Sequence, residues 1–165
     1  VSLQSPPLAD AAATRAWGAR LGALLRAGDL VILTGALGAG KTTLTQGIAE
    51  GVGVRGPITS PTFVIARVHP SIVGGPVLVH VDAYRLAGLE ELDDLDLEAD
   101  LDRAVTVVEW GRGVAEDLSE DALEVVLDGE TVRTATVLAR GERWSGPEAS
   151  HALAGLTETS EEERP

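Results

Sequence analysis

At 165 residues the chain is of one domain's length, enough to bury a real core. Its formal net charge of -13, from 26 acidic against 13 Lys and Arg residues, argues against extensive direct binding of tRNA or DNA, which draws its affinity largely from basic side chains. No apolar run approaches the roughly 18 to 20 residues of a membrane span, and with no cysteine there are neither disulfides nor thiolate metal sites.

The opening stretch VSLQSPPLAD has no basic segment followed by an apolar one, so no secretory leader is expected. Methionine is absent even at position 1, which implies a processed, trimmed or non-standard start. The expectation is a soluble, cytoplasmic protein. Residues 10 to 27 read as a helix: Asp10 is the expected N-cap, Trp17, Leu21, Leu24 and Leu25 recur on one face, and Gly28 is the expected residue beyond its C-cap. DLVILTG follows as a buried strand, then a second helix from Lys41 to about Glu50, closed by Gly51 and Gly53. TFVIARVH (62 to 69), VLVHVD (77 to 82) and VTVVEW (105 to 110) read as strands, with SIVGGP as the turn after the first. LEELDDLDLEADLD (89 to 102) is a helical candidate. ALEVVLDGETVRTATVLA (122 to 139) reads as a hairpin turning at Asp128-Gly129. The expected architecture is α/β, a three-layer P-loop NTPase fold with a mainly parallel central sheet and an antiparallel edge hairpin. Residues 1–146 form its domain, and 147–165 are an acidic tail, disordered or weakly helical, with no core to join.

The segment LTGALGAGKTTLTQG (33 to 47) holds the chemistry. Gly35-x-x-x-x-Gly40-Lys41-Thr42 fits the phosphate-loop pattern G-x-x-x-x-G-K-[ST] at every defined position, between a strand and a helix as required. Successive backbone N–H groups must point inward around a phosphate, where side chains would obstruct. The helix N-terminus adds unpaired amides and a favourable dipole. The residues from Gly35 through Ala36, Leu37, Gly38, Ala39 and Gly40 to Lys41, Thr42 and Thr43 are the expected ATP cradle. Lys41 is expected on the β- and γ-phosphates and the Thr42 hydroxyl on magnesium. A glycine-rich turn with a chance lysine would lack these flanks.

Asp82 and Glu109 each end an apolar strand. Carboxyl ends of parallel strands converge where ligands bind, so the two acids are candidates for holding magnesium and orienting an attacking water. Acids at strand ends are otherwise exposed or helix-capping residues, a weaker reading for either acid alone and weaker still for the pair. Thr62, in GPITSPTF, lies where a γ-phosphate-sensing segment would fall, and is also an ordinary turn residue. His80, inside a strand, is expected to pack or bond locally. His69 and His151 have no sequence partners for a metal site. The acidic run from Glu90 to Asp102 lacks the glycine and ligand spacing of a calcium loop and reads as a solvated helix face.

LTGALGAGKTTLTQG, SPTFVIARV, VHVDAYRL and VVEWG, in this order and at these intervals, resemble the TsaE family over about residues 9 to 144. Members are small bacterial ATPases required, with TsaB and TsaD, for threonylcarbamoyladenosine at position 37 of tRNAs. The resemblance implies Mg-dependent ATP hydrolysis, weak alone and stimulated by those partners, that drives assembly or reset of the partner complex. It implies Glu109 as a magnesium ligand, Asp82 near the γ-phosphate orienting water, and Trp110 lining the site. Thr14 and Arg133 match positions near the nucleotide's base, and Tyr84 and Arg85 match a loop that is anchored or meets a partner. Val81 stands where the family commonly has phenylalanine, and Ala36 where it has an acid. TsaB and TsaD are thus the expected partners, weak self-association is admitted, and no membrane is expected. A P-loop kinase of small molecules or nucleosides is the alternative, although residues 86 to 102 carry eight acids and no basic lid. A module that binds ATP only as a structural ligand is a third reading.

Overall fold

The computed structural model describes residues 1–59, 66–83, 101–113 and 115–159. Its elements in chain order are β1 (Ser2–Gln4), α1 (Ala11–Gly22), β2 (Leu30–Gly35), α2 (Lys41–Val52), β3 (Ala66–His69), β4 (Val77–Asp82) and β5 (Ala104–Glu109). A 3-10 turn (Glu116–Leu118), β6 (Ala122–Asp128), β7 (Thr134–Arg140), α3 (Glu142–Ser145) and α4 (Pro147–Gly155) complete them. Residues 62–65 of the strand expected at 62–69 and most of the helix expected at 89–102 lie outside the described residues, as do Thr62, Tyr84 and Arg85.

The seven strands form one mixed sheet in the order β1-β7-β6-β2-β5-β4-β3. Its middle strands β6, β2, β5 and β4 are parallel, while β7, β1 and β3 pair antiparallel at the flanks. The hairpin β6–β7 therefore forms as expected but is not the edge, because β1 pairs outside β7. Leu30 and Ile32 of β2 pack into one buried cluster and Val31 and Leu33 into another, which is why parallel strands covered on both faces read as continuous apolar runs.

Asp10 caps α1 as expected, its carboxylate accepting from the Ala13 amide at 2.8 Å. The helix stops at Gly22 rather than near 27: the amides of Leu24 and Leu25 turn back three residues, to Leu21 and Gly22. Gly28 instead serves the turn into β2, its amide bonded to the Ala104 carbonyl. Packing of α1 on α2 runs through Gly18 and Gly22 on one helix and Gly47 and Gly51 on the other. A Cβ at Gly47 would collide with the Arg15 carbonyl, so these backbones touch directly. Gly51 thus lies inside α2, and Gly53 closes the helix.

The expectation that the chain beyond Pro147 has no core to join is corrected for its first half. Leu153 and Leu156 are buried in the cluster that holds Trp17 and Trp144, and the Trp17 indole N–H donates to the Leu156 carbonyl at 3.0 Å. Arg143 anchors the approach, its guanidinium donating to both Asp29 carboxylate oxygens at 3.0 and 3.1 Å.

Candidate functional site

Strands β2, β4, β5 and β6 all run toward one edge, where the Gly35–Lys41 loop, Asp82, Glu109 and the β6–β7 turn meet. Gly38 and Gly40 have φ of 78° and 100°, the left-handed region open to glycine, and Gly40 caps α2 from there. The Ala39 amide donates to the Ala36 carbonyl at 3.0 Å, closing a tight turn whose exposed crown is Ala36, Leu37 and Gly38.

Lys41, the first residue of α2, is buried and turned back under this loop. Its ammonium donates to the carbonyls of Gly35 and Ala36, both at 2.9 Å, and lies 3.9 Å from the centroid of a Trp110 ring. Burial pushes the lysine below its ordinary range, and the charges of Glu109 and then Asp82 oppose that shift. Trp110 holds φ 60°, an uncommon conformation for a bulky residue, while its amide donates to the Leu33 carbonyl at 3.0 Å.

Glu109 is 3% exposed, and its Oε1 is a shared acceptor. The Thr42 hydroxyl lies 3.4 Å from it, the Thr45 hydroxyl 3.4 Å, and His80 Nε2 3.1 Å. Thr45 is also 2.8 Å from the Lys41 carbonyl, and its single proton goes to that nearer oxygen. Asp82, less buried, stands opposite Glu109 in the β4–β5 register. Among the described residues no three His, Asp or Glu side chains gather as a metal cluster. Magnesium held with a nucleotide needs only one or two carboxylates beside the phosphates.

The structure brings Lys41, Thr42, Asp82, Glu109 and Trp110 together. Arg133 reaches the loop from the β6–β7 turn, donating to the Gly38 carbonyl at 3.0 Å and also to Gly129. A cavity of about 460 Å³ lies between that turn and Ala36–Ala39. Thr14 sits behind the loop: its hydroxyl donates to the Asp10 carbonyl at 3.2 Å, and its methyl is the group nearest Gly40. Thr43 is partly buried in the first turn of α2. One residue of the site was not singled out by sequence reasoning. Thr45 follows Lys41 by four positions and Thr42 by three, so helix periodicity could have found it. The local bond expected of His80 is to Glu109 itself.

Comparison with known proteins shows the family. The family model described as threonylcarbamoyl adenosine biosynthesis protein TsaE matches residues 8–137. A Streptomyces coelicolor protein named tRNA threonylcarbamoyladenosine biosynthesis protein TsaE is 60% identical over 148 residues, covering 86% of this chain and 99% of that protein. A Mycobacterium tuberculosis protein of the same name is 58% identical over 118 residues, covering 67% of this chain and 70% of its own. The crystal structure of Bacillus subtilis YdiB matches with a TM-score of 0.71 at 29% identity, across 94% of each chain. The chain belongs to the TsaE family.

Proposed function

We propose that this chain binds and hydrolyses ATP with magnesium at the Gly35–Thr42 loop, in a three-layer P-loop fold. In this reading hydrolysis serves threonylcarbamoyladenosine formation on tRNA, in the cytoplasm, together with TsaB and TsaD. The relatives' names support the pathway. The observation that carries the chemistry is the meeting of the buried Lys41 ammonium with Glu109 and Asp82 at the strand ends beside a glycine loop.

The residues fit a magnesium nucleotide. Thr42, Glu109 and Asp82 are hard oxygen donors at one edge, and the buried Glu109 carboxylate lies within reach of the Thr42 hydroxyl and His80. Bound there, magnesium would neutralise charge on the phosphate oxygens. Lys41 leaves the Gly35 and Ala36 carbonyls for the β- and γ-phosphates, and loop amides take the remaining oxygens. Thr42 and Glu109 would hold the metal. Asp82, the more accessible acid, accepts a hydrogen bond from the attacking water and aligns it with the γ-phosphorus. Trp110 covers the lysine and limits water around it. Acyl transfer to adenosine takes place on the TsaD partner.

The test is ATP hydrolysis by the purified chain, alone and with TsaB and TsaD from the same organism, at matched magnesium. Slow turnover alone and a clear rise with the partners are expected. No response to the partners, with phosphate passing instead to a small metabolite, would overturn the reading in favour of a kinase.

A further inference from the structure

We infer that His80 is a positioning residue for Glu109, fixing that carboxylate for the metal-bound nucleotide before either arrives; this rests on the reading proposed above. His80 and Glu109 sit on neighbouring strands β4 and β5. In their register His80 faces Val107, which places Glu109 two residues along on the same side of the sheet. Both side chains are buried, at 0% and 3% exposure.

Of the three groups at Glu109 Oε1, His80 is the one that can hold it throughout. Thr45 gives its proton to the Lys41 carbonyl. Thr42 is at 3.4 Å, and its hydroxyl is the group that turns to the metal. His80 Nε2 is nearer, at 3.1 Å, and faces an acceptor, so the proton of a neutral imidazole belongs on Nε2. Nδ1 is buried and has no hydrogen-bond partner among the described residues, so the ring's one useful bond is the one to Glu109. A buried carboxylate without a donor is costly and free to swing, so this bond both offsets burial and selects the rotamer. A histidine that orients a ligand without touching the metal affects metal affinity more than nucleotide affinity.

Two amide variants separate positioning from packing. His80→Gln places an N–H near the position of Nε2, whereas His80→Asn ends one bond short, near Nδ1. Binding of a fluorescent ADP analogue to the whole chain is measured in EDTA and across a magnesium titration, with the melting temperature of each variant. In EDTA both variants should stay within about twofold of the unmodified chain. The magnesium concentration for half-effect should rise at least about tenfold in His80→Asn and return to within about threefold in His80→Gln. Equal magnesium dependence in the two variants, whether both match the unmodified chain or both shift alike, would overturn the inference. An unmodified chain that binds no nucleotide under any condition would instead remove the ATP reading, and this inference with it.

Discussion

Asp82 and Glu109 stand side by side as register partners at the carboxyl ends of β4 and β5, and Lys41 from α2 carries the positive charge that feels both. Parallel neighbours are about 4.8 Å apart, so two carboxylates there repel unless a cation lies close. The pair is unequal. Glu109 is buried, while Asp82 is only partly so.

This pairing gives the first expectation. Glu109→Ala and Asp82→Ala should each lower the turnover of ATP by about a hundredfold or more, while changing nucleotide affinity in EDTA by less than about threefold. Steady-state hydrolysis and equilibrium binding on the same preparations check this. Normal turnover in both variants would place the chemistry elsewhere.

The contact of α1 with α2 gives a stability expectation. Gly47→Ala puts a methyl group against the Arg15 carbonyl, a backbone atom that cannot rotate away. The helices must separate, at a cost of about 1–3 kcal/mol, read by urea denaturation. Because α2 begins at Lys41, the same change should also weaken nucleotide binding.

Much of this arrangement is legible in the chain because its signals are local. The strand–loop–helix unit rests on an apolar run, loop glycines and a lysine within fifteen residues, LTGALGAGKTTLTQG. Strand β4 falls at Val77–Asp82 as expected, and β5 at Ala104–Glu109, one residue from its expected bounds. What escaped is nonlocal. Three-residue β1 exists because β7 pairs with it from the far end of the chain. Trp17 meets Leu156 across 139 residues, so nothing near Leu153 or Leu156 announces their core. The His80–Glu109 bond depends on the β4–β5 register, which no spacing along the chain specifies.

The docked C-terminal helix should carry part of the stability. Leu153 is fully buried, so Leu153→Ala should cost about 2–5 kcal/mol. The exposed His151→Ala, on the same helix, should stay within about 0.5 kcal/mol of the unmodified chain. Equal effects in denaturation would show that α4 is not part of the folded unit.

His69 makes stability pH-dependent. Burial holds its pKa below the ordinary histidine value, assisted by the nearby His80 and by Arg67 and opposed by a backbone hydrogen bond at Arg55. The unfolded chain therefore takes up this proton first as pH falls. Full stability is present above about pH 6.5 and is lost as pH drops below it, until the lower folded-state pKa is passed. Chemical denaturation at about pH 7.5 and about pH 5.5 should show a smaller acid loss in His69→Leu than in the unmodified chain. Identical losses would mean that His69 titrates alike in both states.

The most direct measurement is a calorimetric titration of magnesium ATP into the unmodified chain and into Lys41→Ala. We expect saturable binding at one site per chain in the first and no detectable binding in the second, because the ammonium held at the Gly35 and Ala36 carbonyls is the phosphates' main countercharge. Undiminished binding by Lys41→Ala would contradict the assignment of this loop as the ATP site.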